Sequence, residues 1–158
     1  MAALEVLDIG PGYAVGRAYG VLMLHAEQVT HTEIVAATAC LVSAGPARGY
    51  LQTFPRFETP SGVSERERKA WTALAQQMKG ATRAGALVVP QDGFVGAAIR
   101  ASISGVLLLA RGRSPVKTFA TLDAAARFLV DEWAVDNGVS AAQIVEAARA
   151  LAGARPRA

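Results

Sequence analysis

Cysteine is nearly absent. Cys40 stands alone among 158 residues, so no intramolecular disulfide can close and no thiolate metal cluster can form within one chain. A reducing compartment is the simplest setting, and we expect a soluble, cytoplasmic protein. Histidine is scarce too: His25 and His31 are the only two, and no cysteine or carboxylate pair stands at metal-ligand spacing around them. Two ligands do not make a zinc site, and neither a metal nor an organic cofactor is expected. Long hydrophobic runs are missing. The longest, residues 103–110, contains Ser104 and Gly105 and ends at Arg111, well short of the roughly 18–20 apolar residues a membrane span needs. The opening MAALEVLDIGPGY has acidic residues and a turn signal where a secretory leader would have a basic start and an apolar centre. Neither secretion nor membrane insertion is expected.

Charge of one sign is not concentrated either. Thirteen Arg and three Lys are scattered among thirteen acidic residues for a net charge of +3, and aromatics make up only 6% of the chain. Without a basic stripe interleaved with aromatics, nucleic acid is not an expected partner. No serine sits in a G-x-S-x-G elbow and no carboxylates pair as acid–base chemistry would require, so we assign no catalytic residue and expect no enzyme. His31 precedes Ile34 and Val35 and is read as a helix residue flanking a buried stripe. Cys40 is read as a small helix residue, and Trp71 and Trp133 as core. One basic group remains: Arg100, Arg111 and Arg113, with Lys117 nearby, form a candidate anion or partner patch, although cations near a helix C-terminus also complement its dipole.

What is present is apolar mass. The chain is 52% hydrophobic, and a chain of this length buries about 70% of its unfolded surface. No staple is needed, and surface remains for a protein partner or self-association. Leu4, Val6 and, after a slip, Ile9 open an extended run broken by Gly10-Pro11-Gly12 before Tyr13, Val15 and Ala18, which predicts a β-hairpin. From about Ala26 to Ser43, the positions Ile34, Val35, Thr38, Leu41 and Val42 predict an amphipathic helix, stopped by Gly45-Pro46. GYLQTF (49–54) reads as a strand, followed by an irregular stretch from Pro55 to Val63. Ser64-x-x-Glu67 is a capping box for a helix facing inward through Trp71, Leu74, Ala75 and Met78. AGALVV (84–89) has the continuous apolar pattern of a strand covered on both faces. Asp92 can cap a helix running to about Ala110, although GVLLLA within it also fits a strand. VKTF (116–119) is a strand. Thr121 then caps a helix with Leu122, Ala125, Ala126, Leu129 and Trp133 on one face, and Ser140-x-x-Gln143 opens a last helix facing inward through Ile144, Val145, Ala148 and Leu151.

This order predicts an α/β fold with a single mixed sheet of about five strands packed against helices. Residues 1–135 form the domain, and 139–153 an appended C-terminal helix. The N-terminal hairpin, the alternation that follows and the ending VKTFATLDAAARFLVDEW, with Ala125, Phe128 and Leu129, resemble the STAS-like fold of anti-sigma-factor antagonists and its SpoIIAA-like relatives. The likeness spans roughly residues 4 to 133. In phospho-switched members of that family a D-S-S-G-like tetrad starts a helix. The comparable stretch here, Thr59-Pro60-Ser61-Gly62-Val63, keeps the Ser-Gly pair and lacks the Asp. The resemblance therefore makes Ser61 a candidate regulatory phosphosite, where added charge would meet the N-terminus of the 65–79 helix and Arg66 or Arg68.

The expectation is a non-enzymatic bacterial regulatory or protein-interaction module. The alternative is a carrier or sensor of a small hydrophobic ligand.

Overall fold

The computed structural model describes residues 4–27, 30–54, 64–90, 93–94, 96–98, 100–101, 104 and 114–154. Six strands follow one another across a single sheet in chain order: β1 (Glu5–Ile9), β2 (Tyr13–Ala18), β3 (Val21–Ala26), β4 (Gly49–Thr53), β5 (Ala84–Val88) and β6 (Val116–Phe119). The first three pair antiparallel, and β3 to β6 pair parallel. The sheet is mixed, as expected. The expected slip in the first strand is a register shift between Val6 and Asp8.

The sheet has six strands rather than about five because Val21–Ala26 is a strand. Its run VLMLHA is buried at every position, so it lacks the polar alternation that marks a half-exposed strand. The turn before it, Tyr19-Gly20, has positive φ at both residues, 53° and 79°. That is the pattern of a two-residue hairpin turn, which usually takes Asn-Gly or Asp-Gly. A tyrosine in the first position hides the signal.

Four helices have defined bounds: α1 (His31–Ser43), α2 (Glu65–Ala81), α3 (Leu122–Asp131) and α4 (Ala141–Gly153). Helical backbone is also present at residues 93–94, 96–98, 100–101 and 104. Helix α1 starts five residues later than its apolar pattern suggests, because Thr30 and Glu33 form a complete capping box. Glu33 also bridges outward: its carboxylate accepts from the Thr30 amide at 2.7 Å and from the Gly12 amide at 2.9 Å, tying the first hairpin turn to the helix start. The stripe that α1 buries is Ile34, Ala37 and Leu41, while Val35 and Val42 lie about half exposed. The caps at Ser64, Thr121 and Ser140 are all formed; the box is complete at Ser140 and Gln143, whereas at Ser64 the hydroxyl accepts from the Glu67 amide and no reciprocal Glu67 side-chain bond is present among the described residues.

Two apolar clusters, one on each face of the sheet, make a three-layer molecule. Leu22, Leu24 and Tyr50 on one face pack against Ala37 and Leu41 of α1 and Leu74 and Met78 of α2. Met23, Leu51 and Ala86 on the other face pack against Leu129 of α3 and Ile144 and Leu151 of α4. Crossovers of constant hand between strands laid down in one direction fall on the same face, and α1 and α2 do share a face. The opposite face is left for the two helices after β6. Helix α4 therefore belongs to the core that α3 belongs to.

Candidate functional site

The two ends of the parallel strands present different chemistry. At the carboxyl end, His25 is the penultimate residue of β3 and Thr53 the last of β4, and the parallel register pairs them directly. Side chains alternate along a strand, so both fall on the α3/α4 face with Met23 and Leu51. The His25 side chain is 9% exposed. Its Nδ1 lies 2.8 Å from Thr53 Oγ1, and its Nε2 lies 3.7 Å from Glu27 Oε1. A hydroxyl, an imidazole and a carboxylate thus stand in line, a grouping that sequence inspection misses because His25 and Thr53 are 28 residues apart. The sequence signal is that each is a polar residue at or next to the carboxyl end of its strand. His31 is the first residue of α1 and half-buried.

Of the candidate basic patch, Arg100 donates from its guanidinium to the Val89 carbonyl at 3.1 Å, and Lys117, in β6, sets its Nζ 5.4 Å from the centroid of the Phe128 ring. Arg111, Arg113 and the candidate phosphosite Ser61 lie outside the described residues. Among the described residues no group of three or more His, Cys, Asp or Glu is placed to hold a metal ion, and no helix is long and apolar enough to cross a membrane. Burial raises the Cys40 thiol pKa, which lowers its thiolate fraction and its reactivity.

At the amino end, the connection between α3 and α4 lies against the sheet. Trp133 is not a core residue here. It is 67% exposed and has φ 57°, left-handed backbone that a bulky residue rarely adopts. The hydrogen bonds explain why. The Ala134 amide donates to the Leu129 carbonyl at 2.9 Å, and the Trp133 amide to the Val130 carbonyl at 3.1 Å. This is a Schellman closure, in which the left-handed position is usually glycine. Helix α3 ends at Asp131, so the expected continuation of its stripe to Trp133 fails and the indole is turned outward.

No family model and no curated protein matches the chain. The site therefore rests on its own geometry. Val130, Asp131, Trp133, Val135, Asp136 and Val139 line an open cavity of about 640 Å³. The sheet holds its floor: the Asp136 amide donates to the Tyr19 carbonyl at 2.9 Å, and Gly49 lies so close to the Ala134 carbonyl that a Cβ would collide with its oxygen. Arg48 approaches Asp136 at 3.7 Å. Asp131 is exposed, and among the described residues it has no cationic partner.

Proposed function

We propose that the chain is a non-enzymatic regulatory module of STAS-like type that docks a protein partner at the amino end of its sheet. The observation that carries this reading is Trp133. An indole left two-thirds in solvent forgoes most of its burial energy, roughly 25 cal/mol per Å² of apolar surface, and here it also occupies a left-handed position that strains any residue with a Cβ. Tryptophans are the side chains that most often anchor protein interfaces. The rigid floor beneath the cavity favours docking without rearrangement. The STAS-like assignment is supported by the mixed sheet, the N-terminal hairpin and the last strand leading into a capped helix. Within that assignment, Ser61 is the proposed phosphosite.

Site-specific photo-crosslinking in the native cell tests the docking reading. A benzophenone side chain at Asn137, on the cavity wall, should give a discrete adduct with one protein, and the same group at Lys69, on the exposed side of α2, should not. No adduct from Asn137, or equal adducts from both positions, would overturn it.

A second reading, carriage of a small hydrophobic ligand, is favoured by the cavity volume, which falls within the range of small-molecule sites. The two aspartates that line it favour the partner instead. Native mass spectrometry of the purified protein should then show a single unliganded mass, and a co-purifying small molecule lost on Trp133→Ala would reverse the ranking.

A further inference from the structure

We propose that the partner segment is basic, and that it seats an arginine side chain against Trp133 with its guanidinium facing Asp131 and Asp136. This inference rests on the docking reading above and adds the chemistry of the occupant.

Charge carries it. The chain is net +3 overall, yet the residues that line the cavity include Asp131 and Asp136 and no Lys or Arg. The cavity is thus a local reversal of the molecule's sign. Arg48 reaches one of its carboxylates at 3.7 Å, with half of each side chain in solvent, which leaves Asp136 with only a weakly held counter-ion. Asp131 lines the same cavity with no cation against it among the described residues. An occupant without positive charge would take Asp131 out of water uncompensated, which is costly. A cation would neutralise it.

Arginine fits better than lysine because the cavity that holds the carboxylates is also lined by the Trp133 indole and by Val130, Val135 and Val139. A guanidinium is planar and weakly hydrated. It can lie on an indole while its edge donates two hydrogen bonds to carboxylates, which a compact ammonium cannot do as well. The arginine stem would cover the valines.

The test uses the full chain with Trp71→Phe, so that fluorescence reports Trp133 alone; the substitution keeps a ring against Phe54, whose centroid lies 5.6 Å from that of Trp71. The probes are blocked peptides of glycine and leucine bearing one central arginine, citrulline, lysine or glutamate. The arginine peptide should shift and quench the emission saturably, binding about tenfold more tightly than its uncharged citrulline isostere, a difference of about 1.4 kcal/mol. Lysine should fall between them, and glutamate should not bind. Asp131→Asn should weaken the arginine peptide several-fold and leave the citrulline peptide unchanged, and added salt should narrow the gap. Equal binding of arginine and citrulline peptides, or no response to any peptide, would overturn the inference. The docking reading is judged separately by the Asn137 adduct, which needs no assumption about charge.

Discussion

Single residues in this protein hold positions that their own chemistry disfavours, and the cost shows where a test can reach. Trp133 occupies the glycine position of a helix-ending motif. Replacing it with glycine removes the left-handed strain, about 1–2 kcal/mol, and loses little burial because the indole is 67% exposed. Part of the gain is offset by the extra freedom glycine has in the unfolded chain. Trp133→Gly should therefore raise the melting temperature by about 2–4 °C in a calorimetric scan, the shift that about 1 kcal/mol gives in a chain of this size, while abolishing the Asn137 adduct. A fall in melting temperature would mean that the indole supports the fold.

Tyr13 sits in the opposite situation, on the α1/α2 face. Burial, and then its hydrogen bond to Asp8 at 2.7 Å, push its phenol up to about 12, and burial raises Tyr50 strongly as well. The sign follows from linkage. A phenol with a folded pKa above its unfolded value near 10 favours folding while it stays protonated, so its contribution is complete below pH 10 and disappears as pH rises toward 12. Denaturant midpoints should fall over that window, and Tyr13→Phe should flatten part of the fall.

At the scale of elements, local signals and packing decide different things. Cap residues act on amides three positions away, so Ser64, Thr121 and Ser140 mark helix starts in any context. Thr30-x-x-Glu33 is an equally legible box, but the apolar run continues upstream of it into β3 and hides the boundary. Which stripe a helix buries is another matter. In α1 the pairs Ile34/Val35 and Leu41/Val42 offer two adjacent stripes with similar hydrophobicity, and only the position of α2 and the sheet selects Ile34 and Leu41. Helix α4 makes the strongest case for packing over sequence position. Its Ile144, Val145 and Leu151 are buried against the sheet, and three such side chains contribute about 5–9 kcal/mol, comparable to the whole stability of a typical domain. A chain ending at Asp136 should lose its cooperative thermal transition and bind a hydrophobic dye. A sharp unfolding transition in that chain would show that α4 is dispensable.

Across the whole molecule, the β1 edge of the sheet and its two strand ends each have a distinct chemistry. β1 is an edge strand, with Val6 and Ile9 each 41% exposed, but its register shift and its Glu5 and Asp8 discourage a second strand from adding there. The carboxyl end holds His25 between Thr53 and Glu27, and the amino end holds the tryptophan cavity. Neither grouping could be seen in the order of residues. The sequence by itself determined the class of fold, five of the six strands, the helix caps and the absence of a disulfide, because those depend on alternation, helical period and contacts within four residues. Tertiary structure decided that VLMLHA is a central strand, that His25 meets Thr53 and that Trp133 faces solvent. Those outcomes depend on pairing across distant segments and on where a helix is forced to stop, which no short stretch of chain encodes.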